Sequence, residues 1–398
     1  MTEPSSSIVI RGMGSISPLG CSPENVWQAY QSPSSCISSR ELLGTPTPVA
    51  ALDEQAECSL EELRREKEAY RRLDRTVAMA IFASRQAVAR SGWSSSPQIG
   101  INIGSSRGAT SLFESFHDFF LTHAHARVPT LTSPLTTLGN VSSWVAQDLQ
   151  SEGVSISHSV TCSTALHGLL NAIAWLKSGM ADRFVVGGTE APLTAFTVAQ
   201  MKALRIYSDR VDDPYPCRPL DADASRSSMV LGEGAAVFCI DRREEKEAAP
   251  ILAVVEGVGY ANEQISHSAS LSDEGDCLYH SMRMALEGLD SRKTIDAIIL
   301  HAPGTLQGDR AELTAVRALF GDRMPLLFSN KWKIGHTLGA SGALSMELAI
   351  RMLRHRKCLS FPYPVLANGE PREPRTILVN ASGFGGNAVS VILGRPGL

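Results

Sequence analysis

Residues 154–188 constrain the fold of this chain more than any other segment. They read VSISHSVTCSTALHGLLNAIAWLKSGMADRFVVGG. Val154 to Val160 reads as a strand. Small and apolar residues from Ser163 to Lys177 read as a helix that stops at Gly179, because glycine readily adopts the left-handed cap. Phe184, Val185 and Val186 form the next strand, ended by Gly187 and Gly188. A β–turn–α–β unit implies parallel strands covered by helices, and Cys162 stands at its first turn.

The remaining chain repeats this alternation. Ile8, Val9 and Ile10 form a short apolar strand, which the following glycines and Pro18 are expected to break. Residues 59–92 have apolar positions at helical spacing, ending at Gly92. IGINIGSS suits a buried strand feeding a loop. In the second half, ILAVVEGVGY, DAIILHAPGT and TILVNASGFGGNAVSVILG read as strands. CLYHSMRMALEGL, GDRAELTAVRALFG and the small-residue segment after SNKWKIGHTLGASG read as helices. RREEKEAAP at 242–250 is charged and ends in proline, and it is expected to link two halves of similar element order. The expected division is residues 1–245 and 246–398.

With 398 residues, the chain is long enough for two such units. Its net charge of -4 carries no sign of nucleic-acid binding. Arg64, Arg65, Lys67, Arg71, Arg72 and Arg75 cluster, either as a solvated helix face with glutamate partners or as a docking patch for an acidic protein. The N-terminus lacks the basic start and apolar core of a secretory signal, and no apolar run is long enough to span a bilayer. A cytoplasmic protein is expected. The eight cysteines are scattered, without a CxxC pair or zinc spacing. His117, His123 and His125 lie among phenylalanines, where helix or interface packing accounts for them better than a metal. No metal or organic cofactor is expected.

A thiol at a helix start is a candidate nucleophile, because the helix dipole favours thiolate; the alternative for Cys162 is a buried structural cysteine. His336 lies in NKWKIGHTLGASG, a loop opening a helix of small residues that permits close approach. Histidine there suits a general acid or donor beside a thiolate, or a satisfied core position. Lys331 stands five residues earlier and is suited to set the charge of the site. Gly383, Phe384, Gly385 and Gly386 join two apolar strands, and such a turn can aim backbone N–H groups at a developing oxyanion.

Several segments together resemble one family in its order along the chain: IVIRGMGSISPLG, VTCSTALHGLLNA, RPLDADASRSSMVLGEGAA, GTLQGDRAELTAV, NKWKIGHTLGASGA and NASGFGGNA. The chain is similar to β-ketoacyl-acyl carrier protein synthases of the two-histidine type. The resemblance implies an α/β, thiolase-like five-layered fold of two similar halves, working as a homodimer or as a heterodimer with another ketosynthase. It implies a nucleophile at Cys162 that receives an acyl chain from an acyl carrier protein. His336 would hold the thioester carbonyl of the incoming malonyl unit, and Lys331 matches the family's lysine. The backbone N–H groups of Cys162 and Ser382 match the oxyanion hole, and Met229, Thr305 and Phe384 fall at substrate-binding positions. His167 is expected only to pack.

The chain also departs from that pattern. The second histidine should stand immediately before Gly304–Thr305, but Pro303 occupies the place and His301 lies two residues earlier. In a strand that is a displacement of about 6.6 Å, too far to make the same hydrogen bond without a backbone shift. Ser345 replaces a glutamate, with Glu347 nearby. Ser382 replaces a gating phenylalanine, and Ser228–Met229 replaces Gly–Phe. Two functions follow. One is decarboxylative condensation in fatty acid, polyketide or polyene synthesis, with His301 or another group in the missing role. The other is a non-condensing, chain-length-factor-like subunit of a ketosynthase heterodimer.

Overall fold

The computed structural model describes residues 7–42, 44–93, 98–123, 127–243, 250–264 and 271–397. The first half begins with β1 (Ile8–Ile16), α1 (Pro23–Gln31), the hairpin β2 (Ser38–Leu42) and β3 (Thr45–Val49), and α2 (Glu54–Glu66). It continues through α3 (Glu68–Arg71), α4 (Arg75–Arg90), β4 (Gly100–Gly104), α5 (Thr110–Thr122), α6 (Thr132–Thr136) and α7 (Asn140–Asp148). β5 (Ser155–Ile156), α8 (Thr164–Ser178), β6 (Arg183–Glu190), α9 (Ala195–Ala203) and β7 (Gly234–Arg242) complete it. The second half has β8 (Ala253–Asn262), α10 (Asp276–Glu287), β9 (Ala297–Ile299), α11 (Leu306–Phe320) and β10 (Leu326–Phe328). It closes with α12 (Lys331–Ile334), a single 3-10 turn at Leu338–Ala340, α13 (Ser341–His355), β11 (Thr376–Gly383) and β12 (Asn387–Gly394).

The strand order across the main sheet is β10-β9-β11-β12-β8-β1-β7-β6-β4-β5. Divided between β8 and β1, it contains the same arrangement twice. Each half starts with a strand at the centre of the full sheet, paired antiparallel to that half's last strand, and the next pairing is also antiparallel. The remaining pairings are parallel. Among the described residues the two half-sheets pair through Ile8–Ile10 of β1 and Ala253–Val255 of β8. Duplication is therefore written in topology although no repeat is visible in the residues. The expected boundary at 245/246 falls among residues outside those described.

Alternation along the strands separates the core into layers. Phe184 and Val186 of β6 and Phe238 and Ile240 of β7 face one core, with α8, α13 and Val379 and Ala381 of β11. Val185 and Val237 point the other way, onto α4 and α7. Leu378 of β11 turns outward to α10 and α11. The result is helices, sheet, central helices, sheet, helices, which is the five-layered α/β thiolase-like fold. Among the described residues no helix is long and apolar enough to cross a membrane.

Several local expectations change. β1 does not stop at its glycines but runs to Ile16. Gly12 and Gly14 are what let α4 lie against it: a Cβ at either position would land on the carbonyl oxygen of Ala87 or Ala83. The helical stretch from 59 to 92 is broken at Lys67, and again before Asp74, whose carboxylate accepts from the Thr76 N–H and starts α4. The strand expected over Val154–Val160 shrinks to Ser155–Ile156, because the chain must turn up into the loop bearing Cys162. The strand read through DAIILHAPGT ends at Ile299. His117 and His123 stack on Phe113 and Phe119, and His125 lies outside the described residues.

Candidate active site

The loop between β5 and α8 carries Cys162. Thr161 before it has φ +47°, a left-handed conformation that costs a non-glycine residue energy and raises the thiol on a sharp elbow. Thr161 Oγ1 donates to the Phe384 carbonyl, and Ser163 Oγ donates to Asn387 Oδ1 at 2.5 Å. Both contacts tie the elbow to the turn between β11 and β12. Gly383 is required there, since a Cβ would strike Thr161 Oγ1 and lie 3.1 Å from Cys162 N.

His336 lies between α12 and the 3-10 turn, and its Nε2 is 3.1 Å from Cys162 Sγ. Its backbone is pinned by one segment: its N–H donates to Val230 O, and its carbonyl accepts from Gly232 N. Burial, assisted by Lys331, pushes the His336 imidazole down to about 3, so the ring is neutral at physiological pH. Lys331 opens α12 fully buried, with Nζ 3.4 Å from Leu300 O. Burial brings its ammonium down to about 8, while Glu312 and the neighbouring thiols oppose that change.

The Cys162 thiol does not have the depressed pKa expected of a helix start. Burial pushes it up to about 12, with the Glu190 carboxylate adding to the rise and Lys331 opposing it. The first residue of α8 is Thr164, so the thiol lies just outside the first turn. The resting group is a thiol.

His301 is the principal surprise. β9 ends two residues before it, so the two-residue strand spacing to position 303 does not govern where its ring goes. Glu312 of α11 accepts from the N–H groups of His301 and Ala302, at 2.9 and 2.7 Å, and fixes the backbone. The imidazole reaches the same cavity as Cys162 and His336, with its ring centroid 5.2 Å from that of His336. Burial, His336 and Lys331 all keep it neutral. The Nδ1 atoms of both histidines are buried and have no hydrogen-bond partner among the described residues. Pro303 also lines the cavity, and its carbonyl accepts weakly from Cys217 Sγ at 3.6 Å.

That cavity measures about 450 Å³. Met229, Thr305, Ser382 and Phe384 line it, together with Met201, Ile206 and Leu338, which the sequence did not single out. Phe384 is 39% exposed and stands on its rim, while Met229 is buried inside. The ladder register determines where the Ser382 N–H points. Glu263 N donates to Gly386 O, so alternation along β8 and β12 makes Ala388 a hydrogen-bonded partner of Ala261. Ser382, opposite Ala388, is then a non-hydrogen-bonded pair, and its N–H points away from β12. Glu347 is not a stand-in at Ser345, because it pairs with Arg351 and accepts from Ser15 Oγ. In the basic cluster, Arg72 and Arg75 pair with glutamates, Arg64 with Glu61, and Lys67 with the Tyr70 hydroxyl.

A thiol, a neutral imidazole in contact with it, a buried ammonium and an apolar cavity suit thioester chemistry. Residues 5–246 match the N-terminal domain of β-ketoacyl synthases, and residues 252–361 match their C-terminal domain. The chain belongs to the β-ketoacyl synthase family. It is 30% identical to the 3-oxoacyl-[acyl-carrier-protein] synthase 2 of Coxiella burnetii, over 98% of each chain. Among solved structures, a β-ketoacyl synthase from Burkholderia phymatum STM815 superposes with a TM-score of 0.86 at 25% identity, covering 98% of this chain and 99% of that one. The ishigamide ketosynthase/chain length factor has the same fold, with a TM-score of 0.85 at 22% identity over 99% of this chain and 100% of that one. The two family domains follow one another along this ketosynthase-family chain, and the match to the Coxiella burnetii synthase spans both.

Proposed function

We propose that this chain is a condensing β-ketoacyl-acyl carrier protein synthase whose second histidine is supplied by His301. One observation carries the reading: His336 Nε2 stands 3.1 Å from Cys162 Sγ, and His301 shares their cavity. The partner is an acyl carrier protein, in keeping with the name of the Coxiella burnetii relative.

In the first half-reaction, Cys162 Sγ attacks the carrier's acyl thioester carbonyl. The carbon–sulfur bond to the carrier breaks, and the carrier thiol leaves with the proton that Cys162 gives up. In the second, a malonyl thioester loses carbon dioxide, and the electron pair released forms an enolate. His336 Nε2–H and His301 donate to the enolate oxygen, while Lys331 provides positive charge nearby. The enolate carbon attacks the acyl-Cys162 carbonyl. That attack forms the new carbon–carbon bond; backbone N–H groups of Cys162 and Ser382 receive the oxyanion, and collapse of the adduct breaks the carbon–sulfur bond and frees the Cys162 thiolate, which takes a proton from solvent. Met229, Thr305 and Phe384 contact the acyl and carrier-arm segments.

Pro303 favours a second reading. A chain-length-factor-like subunit needs the cavity but not the second donor, and the ishigamide neighbour belongs to such a pair. Incubation with acyl-carrier thioester followed by intact-protein mass measurement separates the two. The condensing reading expects one acyl adduct, lost in Cys162→Ala. Absence of any adduct on the wild-type chain excludes it.

A further inference from the structure

Glu190 ends β6 fully buried, and nothing in the condensation scheme uses it. Its Oε1 accepts from Ser105 Oγ at 2.7 Å and Arg107 N at 3.2 Å. Its Oε2 accepts from Ser106 N at 2.8 Å, Ser106 Oγ at 2.6 Å and Gly339 N at 2.9 Å. Five donors meet one carboxylate. Burial raises the Glu190 carboxyl above its ordinary range while these donors pull it back down; three are backbone N–H groups that can only donate, and their number favours the ionised carboxylate over the carboxylic acid.

These donors come from two loops distant in sequence. Ser105–Arg107 follows β4, whose last residue, Gly104, abuts Thr164 and the His158 carbonyl beside the Cys162 loop. Gly339 belongs to the turn directly after His336, and Leu338 next to it lines the Cys162 cavity. The packing leaves no slack, because a Cβ at Gly339 would come 2.5 Å from Ser106 N and 2.6 Å from Glu190. The loops on either side of the thiol–imidazole pair are thus fastened to one anion.

We propose that Glu190 is a positioning residue for this site, fastening the His336 loop to the Ser105–Arg107 loop and placing a fixed negative charge behind Cys162. The proposal rests on Cys162 being the nucleophile, but not on its condensing anything. The charged and titratable groups about the thiol among the described residues are His336, His301, Lys331 and Glu190, with Arg205 on the wall of the same cavity. Of these, Glu190 alone brings negative charge.

Glu190→Gln keeps the size and removes the charge. It also sets an amide NH2 against N–H donors whichever way it is turned. The test is the pH dependence of iodoacetamide alkylation at Cys162 in the full resting chain, with folding checked by thermal melting. The midpoint is expected to fall by about one pH unit, since a nearby negative charge opposes thiolate formation. In enzyme that turns over, kcat is expected to fall about tenfold with KM within twofold, the signature of misplacement rather than lost binding. An unchanged alkylation midpoint in folded Glu190→Gln overturns the proposal. If that variant does not fold, Ser106→Ala replaces it. Removing one donor leaves the carboxylate less neutralised, so the midpoint rises, and an unchanged midpoint again overturns the proposal. Alkylation needs neither carrier nor product, so its outcome is separate from the fate of the condensing reading.

Discussion

The His301 ring stands edge-on to the His336 ring, with centroids 5.2 Å apart and planes at 86°. The two imidazoles therefore face one cavity although Pro303 fills the place where a second histidine was expected. His301→Ala is expected to lower kcat for condensation about 100-fold, the usual scale for a positioned proton donor. Acylation of Cys162 should persist in that variant. Pro303→Ala should stay within threefold of wild type. Steady-state kinetics with acyl- and malonyl-carrier substrates give the answer, and an unaffected kcat in His301→Ala would remove His301 from the mechanism.

Cys162 should be slow to alkylate at neutral pH. Burial and Glu190 disfavour the thiolate, so the group holds its proton well above the range of an ordinary thiol, near 8.5. Its reactivity should rise with pH without reaching a plateau near neutrality. Lys331→Met removes the cation that opposes this shift, and the midpoint should move up further. A thiol half-ionised at pH 7 would contradict the electrostatic picture.

Lys331 should also show a trade between stability and function. Its folded pKa lies near 8 against an ordinary 10.5, so between those values the unfolded chain binds the extra proton. Stability from this group accordingly rises with pH across that window and is least where the ammonium must stay buried. Lys331→Met should be more stable than wild type at pH 7, by roughly 2 kcal/mol. The advantage should shrink as pH approaches 10.5. Urea unfolding at pH 7 and pH 10 measures both, and a destabilised variant at pH 7 would show that the lysine supports the fold.

The junction of the two halves of the site is open to a steric test. Gly383→Ala drives a Cβ onto Thr161 Oγ1 and against Cys162 N, so it should displace the turn and reduce Cys162 acylation at least tenfold, with the melting temperature little changed. Gly14→Ala drives a Cβ onto the Ala83 carbonyl, between β1 and α4, and should destabilise the whole chain by about 3 kcal/mol. Equal effects of both substitutions on melting would contradict the assignment of Gly383 to the site.

Much of the fold was legible because period-2 and period-3.6 patterns follow directly from which faces are buried, as Val185 and Val186 show by pointing into different cores. Cys162, Lys331 and His336 were legible because their motifs are local. The position of His301 was not. Spacing along a strand predicts a side chain's place only while the strand lasts, and β9 ends at Ile299. The His301 backbone is held by Glu312, eleven residues away on another element. Glu190 escaped notice because its partners lie in two distant loops, although a glutamate closing a buried strand in VVGGTE was a visible signal. The direction of the thiol's shift differs from the expectation for a related reason: the helix start is a local feature, whereas burial is not.

On the proposed mechanism, Cys162 of this chain carries the acyl group to which the new carbon–carbon bond is made. Condensation of acyl- and malonyl-carrier thioesters by the purified chain, alone and with a second ketosynthase of the family, followed by mass spectrometry of the carrier-bound product, measures this. β-Ketoacyl product is expected from the chain alone and none from Cys162→Ala. Product that appears only with the partner, and is unchanged by Cys162→Ala in this chain, would contradict that mechanism.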